Sequence, residues 1–504
     1  MPMATDIGPL TGLAPTVAEG ARHQRWGRTP PSQPPTRTRT LEALLQRPFV
    51  DEPLDLESLA GCISGRLIVP GDEEYEAARH VHQAAVDARP LAIVRAADAR
   101  DVAFTVLFAR DNELELAVRG GGHSLAGHGT VDGGIVLDLG DMRGLHIDPD
   151  ARVAWAQPGL TAIEFTEAAA AHGLATPFGD TGSVGIAGLT LGGGVGWLVR
   201  KHGLTIDALI AVEIVTADGR QLIASETEHP DLFWAVRGGG GNFGVVTRFQ
   251  YRLSPVGMIL GGAVLLPPTA DVLRGLVPVA AAAPRELSTI TFVLNAAPPL
   301  PFLAPEHHFK PAVIVMFVFD GDPEAGQAAL EPFRRLATPL GELTAPMPYP
   351  SIYQFTAEGS KPGAGTMRSA FLDTLDDEAV ETILREMAAA PGYGMDFTQI
   401  RVLGGAVADV PADATAFAHR RATVMLSMHA AHGADRAEAD AWANRYFAAI
   451  APKATGVYAN FLADEGDARV RDAYPGGTYE RLVDVKRRYD PSNLFRRNQN
   501  IRPR

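Results

Sequence analysis

The sequence predicts a mixed α+β chain of two or three domains, with glycine-rich chemistry confined to its first half. Three observations point there. A strand–helix–strand unit over residues 91–118 runs directly into Arg119-Gly120-Gly121-Gly122-His123-Ser124. A second glycine cluster spans Gly185 to Gly196. The composition changes near Ser254-Pro255, and the strands and helices beyond it lack such clusters. With 504 residues, 46% hydrophobic and 21% charged, the chain is long enough for more than one core.

The elements follow in order. Residues 20–40 carry Arg22, Arg25, Arg28, Arg37 and Arg39 among Pro, Ser and Thr, which predicts a disordered tail over residues 1–53, with a basic contact arm or transit-like segment as the alternative. Glu73 and Glu74 open a helix expected over residues 73–88. Leu91 to Val94 reads as a buried strand, Asp98 to Asp111 as a helix, and Leu114 to Val118 as the next strand. Ile135 to Leu139 is a further strand. Thr161 and Glu164 have capping-box spacing, with Gly173 placed to end that helix. Asp218-Gly219 joins two strands as a hairpin. Val245, Thr247, Phe249, Tyr251 and Leu253 alternate with more polar neighbours, as in a half-buried strand. In the second half, Pro311 to Phe319 and Thr423 to Met428 read as strands, and Pro323 to Ala337 and residues 434–450 as helices.

Charge and composition exclude several functions. A net charge of -14 argues against a general nucleic-acid binder, although it leaves room for a local phosphate site. A single cysteine, Cys62, permits neither an intramolecular disulfide nor a cysteine-based zinc site, and packing is its expected role. No apolar run is long enough to cross a membrane, and the first residues form no signal-peptide core. The cytoplasm is therefore the expected location. No metal site is expected. His80-x-His82 is placed on a helix that splays its side chains apart, His429-x-x-His432 lacks partner ligands, and His419-Arg420 reads as structural.

The glycines do not belong to the usual dinucleotide fold. Gly239-x-Gly241-x-x-Gly244 has the right spacing, but a helix precedes it and a strand follows. Gly194-x-Gly196-x-x-Val199 lacks the third glycine. Consecutive glycines can still offer successive N–H groups to an anion, and Gly120 to Gly122 fit that role with Arg119 as a charge partner. The alternative is that they only make tight turns.

The longer strings carry a resemblance. Residues 119–124, Asp132 to Leu139, Gly188 to Leu198, Asp231 to Gly244 and Tyr489 to Asn500 resemble the vanillyl alcohol oxidase / p-cresol methylhydroxylase superfamily. Within it they are most similar to the berberine-bridge-enzyme-like oxidases, including bacterial members of the 6-hydroxy-D-nicotine oxidase type. The resemblance implies a two-subdomain FAD-binding domain of the PCMH type over residues 54–254, closed by a C-terminal return over residues 455–504. Between them it implies a substrate domain, residues 255–454, with a large antiparallel sheet flanked by helices.

The resemblance also implies roles. His123 would bond to the 8-methyl carbon of FAD, since an unprotonated imidazole is a nucleophile near neutral pH. Arg119, Gly120, Gly121, Gly122, Ser124, Gly127, Thr181, Gly182, Ser183, Gly185, Gly188, Gly194, Val246, Asn460, Asn498 and Asn500 would surround the cofactor. Many relatives add a second bond from a cysteine; here Thr181 stands in that place, so one tether is expected. Val184 matches a position that governs oxygen approach. Tyr458 resembles the catalytic tyrosine, with Tyr349, Tyr353, Tyr393 and Gln399 as weaker pocket candidates. The implied reaction moves a hydride from a small alcohol, amine or secondary metabolite to flavin, which O₂ then reoxidises to give H₂O₂. A dehydrogenase with another acceptor and a non-redox flavin-binding cyclase are the alternatives. The expected partners are a small-molecule substrate and O₂, and the expected assembly is a monomer or homodimer.

Overall fold

The computed structural model describes residues 55–392, 396–432 and 436–504; the expected tail and Tyr393 lie outside them. The chain enters through α1 (Leu56–Cys62), β1 (Arg66–Ile68), α2 (Tyr75–Arg79), β2 (Ala92–Arg95), α3 (Ala99–Asp111), β3 (Leu116–Arg119) and β4 (Ile135–Asp138). Asp98 caps α3 by accepting from the N–H groups of Arg100 and Asp101. The sheet order is β1-β2-β4-β3, so β4 fills the gap between the two strands of the strand–helix–strand unit and runs parallel to both.

The helix expected over residues 73–88 is confined to Tyr75–Arg79, and the chain leaves it extended at His80. Tertiary contacts take over the groups that would continue it. Arg119 donates to the carbonyls of Ala78 and His80, and the His82 N–H donates to Gly122 O. His80 and His82 therefore lie on an extended segment against the glycine loop, not on a helix.

A second layer follows: β5 (Leu145–Asp148), β6 (Val153–Ala156), α4 (Ala162–Ala170), β7 (Leu174–Ala175), α5 (Ile186–Gly192), α6 (Val199–His202), β8 (Leu209–Val215), β9 (Gln221–Ser225), α7 (Pro230–Val236) and β10 (Val245–Arg252). Its antiparallel sheet has the order β5-β6-β10-β8-β9. Glu164 accepts from the Thr161 N–H at the start of α4, as the capping spacing predicts. Asp218-Gly219 turns β8 into β9, with Gly219 at φ +79°. The glycines at 239–244 lie between α7 and β10, a helix-to-strand connection.

Beyond β10 the short β11 (Ser254–Pro255) pairs with β7. The chain then builds β12 (Met258–Leu266), α8 (Ala270–Ala282), β13 (Leu287–Leu294), β14 (Ala312–Phe319), α9 (Pro323–Arg334), β15 (Gly341–Pro348), a 3-10 helix (Tyr349–Ser360), β16 (Gly365–Leu372), α10 (Asp377–Ala388), β17 (Phe397–Val402), α11 (Ala406–Asp409), β18 (Val424–Ala431) and α12 (Arg436–Ile450). Seven antiparallel strands take the order β15-β12-β14-β13-β17-β18-β16. One face buries Val264, Val315 and Leu426 against Leu273, Phe333, Ile383 and Trp442 of the helices. From the other face, Ile259, Ile290 and Val318 join one apolar cluster with Phe165, Phe249 and Tyr251 of the first half. Burying both faces removes water from the sheet and joins it to the first half.

The chain returns through α13 (Asp467–Asp472) and α14 (Thr478–Tyr489). Lys486 and Asp490 form a fully buried ion pair at 2.7 Å. Lys486 also donates to the carbonyls of Asn242 and Phe495, and Asp490 accepts from the N–H groups of Leu494 and Phe495. This is the physical content of the closing string Tyr489 to Asn500: it fastens the return onto Asn242, whose side-chain amide also donates to Gln499 O.

Candidate active site

The two glycine clusters meet. A Cβ added to Gly121 would lie 2.4 Å from Gly185 N, and one added to Gly185 would lie 2.4 Å from Gly121 N. Side chains at either position would force the loops apart. Part of the glycine requirement is therefore contact between two loops. The second cluster is also not a single loop, because α5 runs through it. Gly193 and Gly194, past its end, pack against the Tyr458 ring and Thr205.

Beside this contact lies an open cleft of about 370 Å³ lined by Ala78, His80, His82, Arg95, Arg119, Gly120, Gly121, Gly122, His123 and Asp138. Among the described residues, no backbone acceptor is paired with the N–H groups of Gly120, Gly121 or Gly122. Gly188, exposed in the middle of α5, would place a Cβ in open space. The buried Oδ1 atoms of Asn498 and Asn500 and the Thr130 hydroxyl have no protein partner. Free N–H donors, bare glycine surface and unmatched buried acceptors fit a polar, phosphate-bearing cofactor.

Arg119, expected beside the phosphate, is turned instead to the protein. It is 7% exposed, pairs with Asp138 at 2.9 Å, and donates to Ala78 O and His80 O. Ser124 organises its own turn, its hydroxyl accepting from the His128 N–H and its carbonyl from the Gly127 N–H. Val246 is a buried side chain of β10 within the apolar core.

His123 leaves the glycine loop with its ring stacked on His82, centroids 4.0 Å apart. Its Nε2 lies 3.2 Å from Ser183 Oγ. Burial, with His82 adding to it, lowers the imidazole pKa to about 4. The ring is therefore unprotonated at neutral pH. The loop from Thr181 to Gly185 is held by α4, whose first N–H groups, Ala162 and Ile163, donate to Val184 O and Gly182 O. Val184 packs, half-buried, on the apolar core. Tyr353 lies against Gly182, and a Cβ on Gly359 would be 3.7 Å from the Thr181 hydroxyl. Cys62 sits on α1 against a different apolar cluster.

The second focus is Tyr458, fully buried. Its Oη accepts from the Gly194 N–H at 2.8 Å and from Asn460 Nδ2 at 2.9 Å. Burial pushes the phenol up to about 12, against the pull of these two donors and of Arg401. The Gly194 N–H is thus already used by Tyr458. Gln399 on β17 accepts from Arg401 Nε at 2.9 Å. Arg401 also donates to Val195 O and pairs with Asp180 at 2.9 Å. Sequence reasoning missed Asp180, Arg401 and the stacked His82, since each matters only through a partner distant in sequence. Tyr349 and Tyr353 stand buried on the 3-10 helix, their rings 6.3 Å apart; the Tyr349 hydroxyl, raised well above its usual range by burial, has no well-aligned partner.

His419, His429 and His432, singled out by the sequence, are structural in their contacts. His429 stacks on Phe397, and His432 bonds the Thr366 hydroxyl. His419 meets Asp472 O, and Arg420 grips Asp207 through two bonds of 2.8 Å. Among the described residues, no group of three or more metal-ligating side chains converges. No described helix is long and apolar enough to cross a membrane.

Comparison with known proteins places this geometry. An FAD binding domain family model matches residues 90–225, and a berberine and berberine-like model matches residues 457–502. The chain is 32% identical over 459 residues to (R)-6-hydroxynicotine oxidase of Paenarthrobacter nicotinovorans, covering 88% of this chain and 97% of that protein. It is 30% identical to the uncharacterized FAD-linked oxidoreductase YvdP of Bacillus subtilis, over 88% of this chain and 98% of the relative. The crystal structure of 6-hydroxy-D-nicotine oxidase from Arthrobacter nicotinovorans superposes with a TM-score of 0.79 at 29% identity, covering 90% of this chain and 100% of that one. The two matched segments are those that supply the glycine cleft and Tyr458, and the chain belongs to the berberine-bridge-enzyme-like family of FAD-linked oxidases.

Proposed function

We propose that this enzyme oxidises a small organic alcohol, amine or secondary metabolite, with its flavin attached once, through His123. The observation that carries the reading is the position of His123: an unprotonated imidazole lining the glycine cleft, fixed by His82 on its face and Ser183 at its edge. FAD held by the Gly120–Gly122 loop and His123 would supply the redox chemistry, hydride acceptance from substrate with O₂ as the final acceptor and H₂O₂ as its product.

The chain's own residues supply position and proton handling. His123 offers a nitrogen nucleophile for the tether, and Ser183 orients it. Thr181 has no thiol, and Cys62 lies on α1 against another core, which supports a single attachment. Two N–H donors fix the Tyr458 oxygen, so its own proton is left to point elsewhere, toward a substrate hydroxyl or amine. As a phenol it donates; as a phenolate, steadied by the same donors and by Arg401, it takes the hydroxyl proton while hydride leaves. Val184, a small aliphatic side chain beside Ser183, stands at the position that would govern O₂ approach.

Acid-precipitated protein should stay yellow, and His123→Ala should release its flavin on precipitation. A colourless native protein would sink the cofactor reading. Peroxide formation in air should match substrate consumption. Rapid dye reduction without peroxide would make the enzyme a dehydrogenase.

A further inference from the structure

We propose that Arg95 is the cation that holds a phosphate group of the cofactor in the glycine cleft. The argument starts from register. β2, β4 and β3 run parallel, with Arg95 opposite Asp138 and Arg119 opposite Asp138. The three residues form one rung, so their side chains leave the same face of the sheet. The rung is the last pair on each strand, at the carboxyl ends where ligands of parallel sheets bind.

The three charges do not balance. One carboxylate faces two guanidinium groups, leaving an excess positive charge in a chain whose net charge is -14. Asp138 is closer to Arg119, at 2.9 Å, than to Arg95, at 3.5 Å. Arg119 also donates to Ala78 O and His80 O. The Arg95 side chain is 28% exposed, and its buried Nε, the atom 3.5 Å from Asp138, makes no well-aligned hydrogen bond. Arg95 lines the same cleft as Gly120, Gly121 and Gly122, whose N–H groups are unpaired in the backbone network. Donor-rich backbone beside a guanidinium held only by a loose ion pair is a site for a phosphate oxygen. The inference rests on the chain's place among FAD-linked oxidases, since FAD brings the phosphates. It assigns to Arg95 the role that the sequence alone gives to Arg119.

The test uses the full chain in a His123→Ala background, where no tether forms, produced without flavin in a riboflavin-auxotrophic host. FAD affinity is read from quenching of flavin fluorescence at low and high salt, and the melting temperature is taken on the cofactor-free protein. Arg95→Gln should weaken FAD binding about tenfold and flatten its salt dependence, as loss of one charged hydrogen-bond donor predicts. Arg95→Lys should restore most of the affinity. The cofactor-free melting temperature should be unchanged by either substitution, whereas Arg119→Gln should lower it. FAD affinity within twofold of the parent for Arg95→Gln would overturn the proposal. So would weaker binding accompanied by an equal loss of cofactor-free stability. A parent protein that fails to bind FAD at all would instead count against the cofactor reading.

Discussion

His123 is half-buried and stacked on His82, and the two effects hold its imidazole unprotonated down to about pH 4. The extent of flavin attachment should therefore stay flat across roughly pH 6 to 9 instead of rising through the usual histidine pKa. In-gel flavin fluorescence after incubation at each pH measures this; a rise centred near pH 6.5 would contradict the assignment. Tyr458 titrates the other way, with burial raising its phenol to about 12. If its phenolate takes the substrate proton, kcat for an alcohol should climb steadily through the alkaline range without a plateau. An amine substrate should instead follow the deprotonation of the amine itself. Far from this chemistry, Lys486 and Asp490 have no contact with solvent. Lys486→Met leaves a buried carboxylate unpaired and should cost roughly 3–5 kcal/mol. Thermal melting would register that loss, while the spectrum of the flavin bound to folded protein should not change.

At the scale of elements, the glycine loops separate two kinds of glycine. Gly121 is needed because Gly185 backbone lies against it, so Gly121→Ala should lower both the melting temperature and the flavin content. Gly188 faces open space from the middle of α5. Gly188→Ala should leave the cofactor-free protein at least as stable, since alanine favours a helix by about 1 kcal/mol. Lower flavin content in that variant would place the cofactor against α5, and unchanged content would remove Gly188 from the site. The elements best read from sequence were those set by local pattern: α3, the Thr161–Glu164 cap of α4, the Asp218-Gly219 hairpin and the alternation along β10. The helix expected over residues 73–88 stops early because its last carbonyls answer to Arg119, the last residue of β3 and about forty residues further along the chain. Local periodicity carries no information about such a partner.

On the scale of the whole molecule, the site is assembled from segments that lie far apart along the chain. The Arg401 side chain reaches from the large sheet to Asp180 and Val195 in the first half, while Tyr458 arrives on the C-terminal return. Arg401 is buried and holds Gln399 and Asp180 together near Tyr458. Arg401→Gln should lower kcat by at least about tenfold and shift the alkaline pH profile upward, because the phenolate loses a nearby positive charge. A change in KM alone would restrict Arg401 to substrate contact. The sequence by itself determined the cofactor class, the histidine of the glycine loop and the sheet-forming second half. These reside in contiguous strings and periodic patterns, which short-range sterics and hydrogen bonding enforce. Only the tertiary structure decided that Gly121 meets Gly185, that His82 covers His123, that Arg119 serves the fold while Arg95 faces the cleft, and that Asp180 and Arg401 join the halves. Each depends on sheet register or on the packing of distant segments, and neither is encoded in any local stretch of residues.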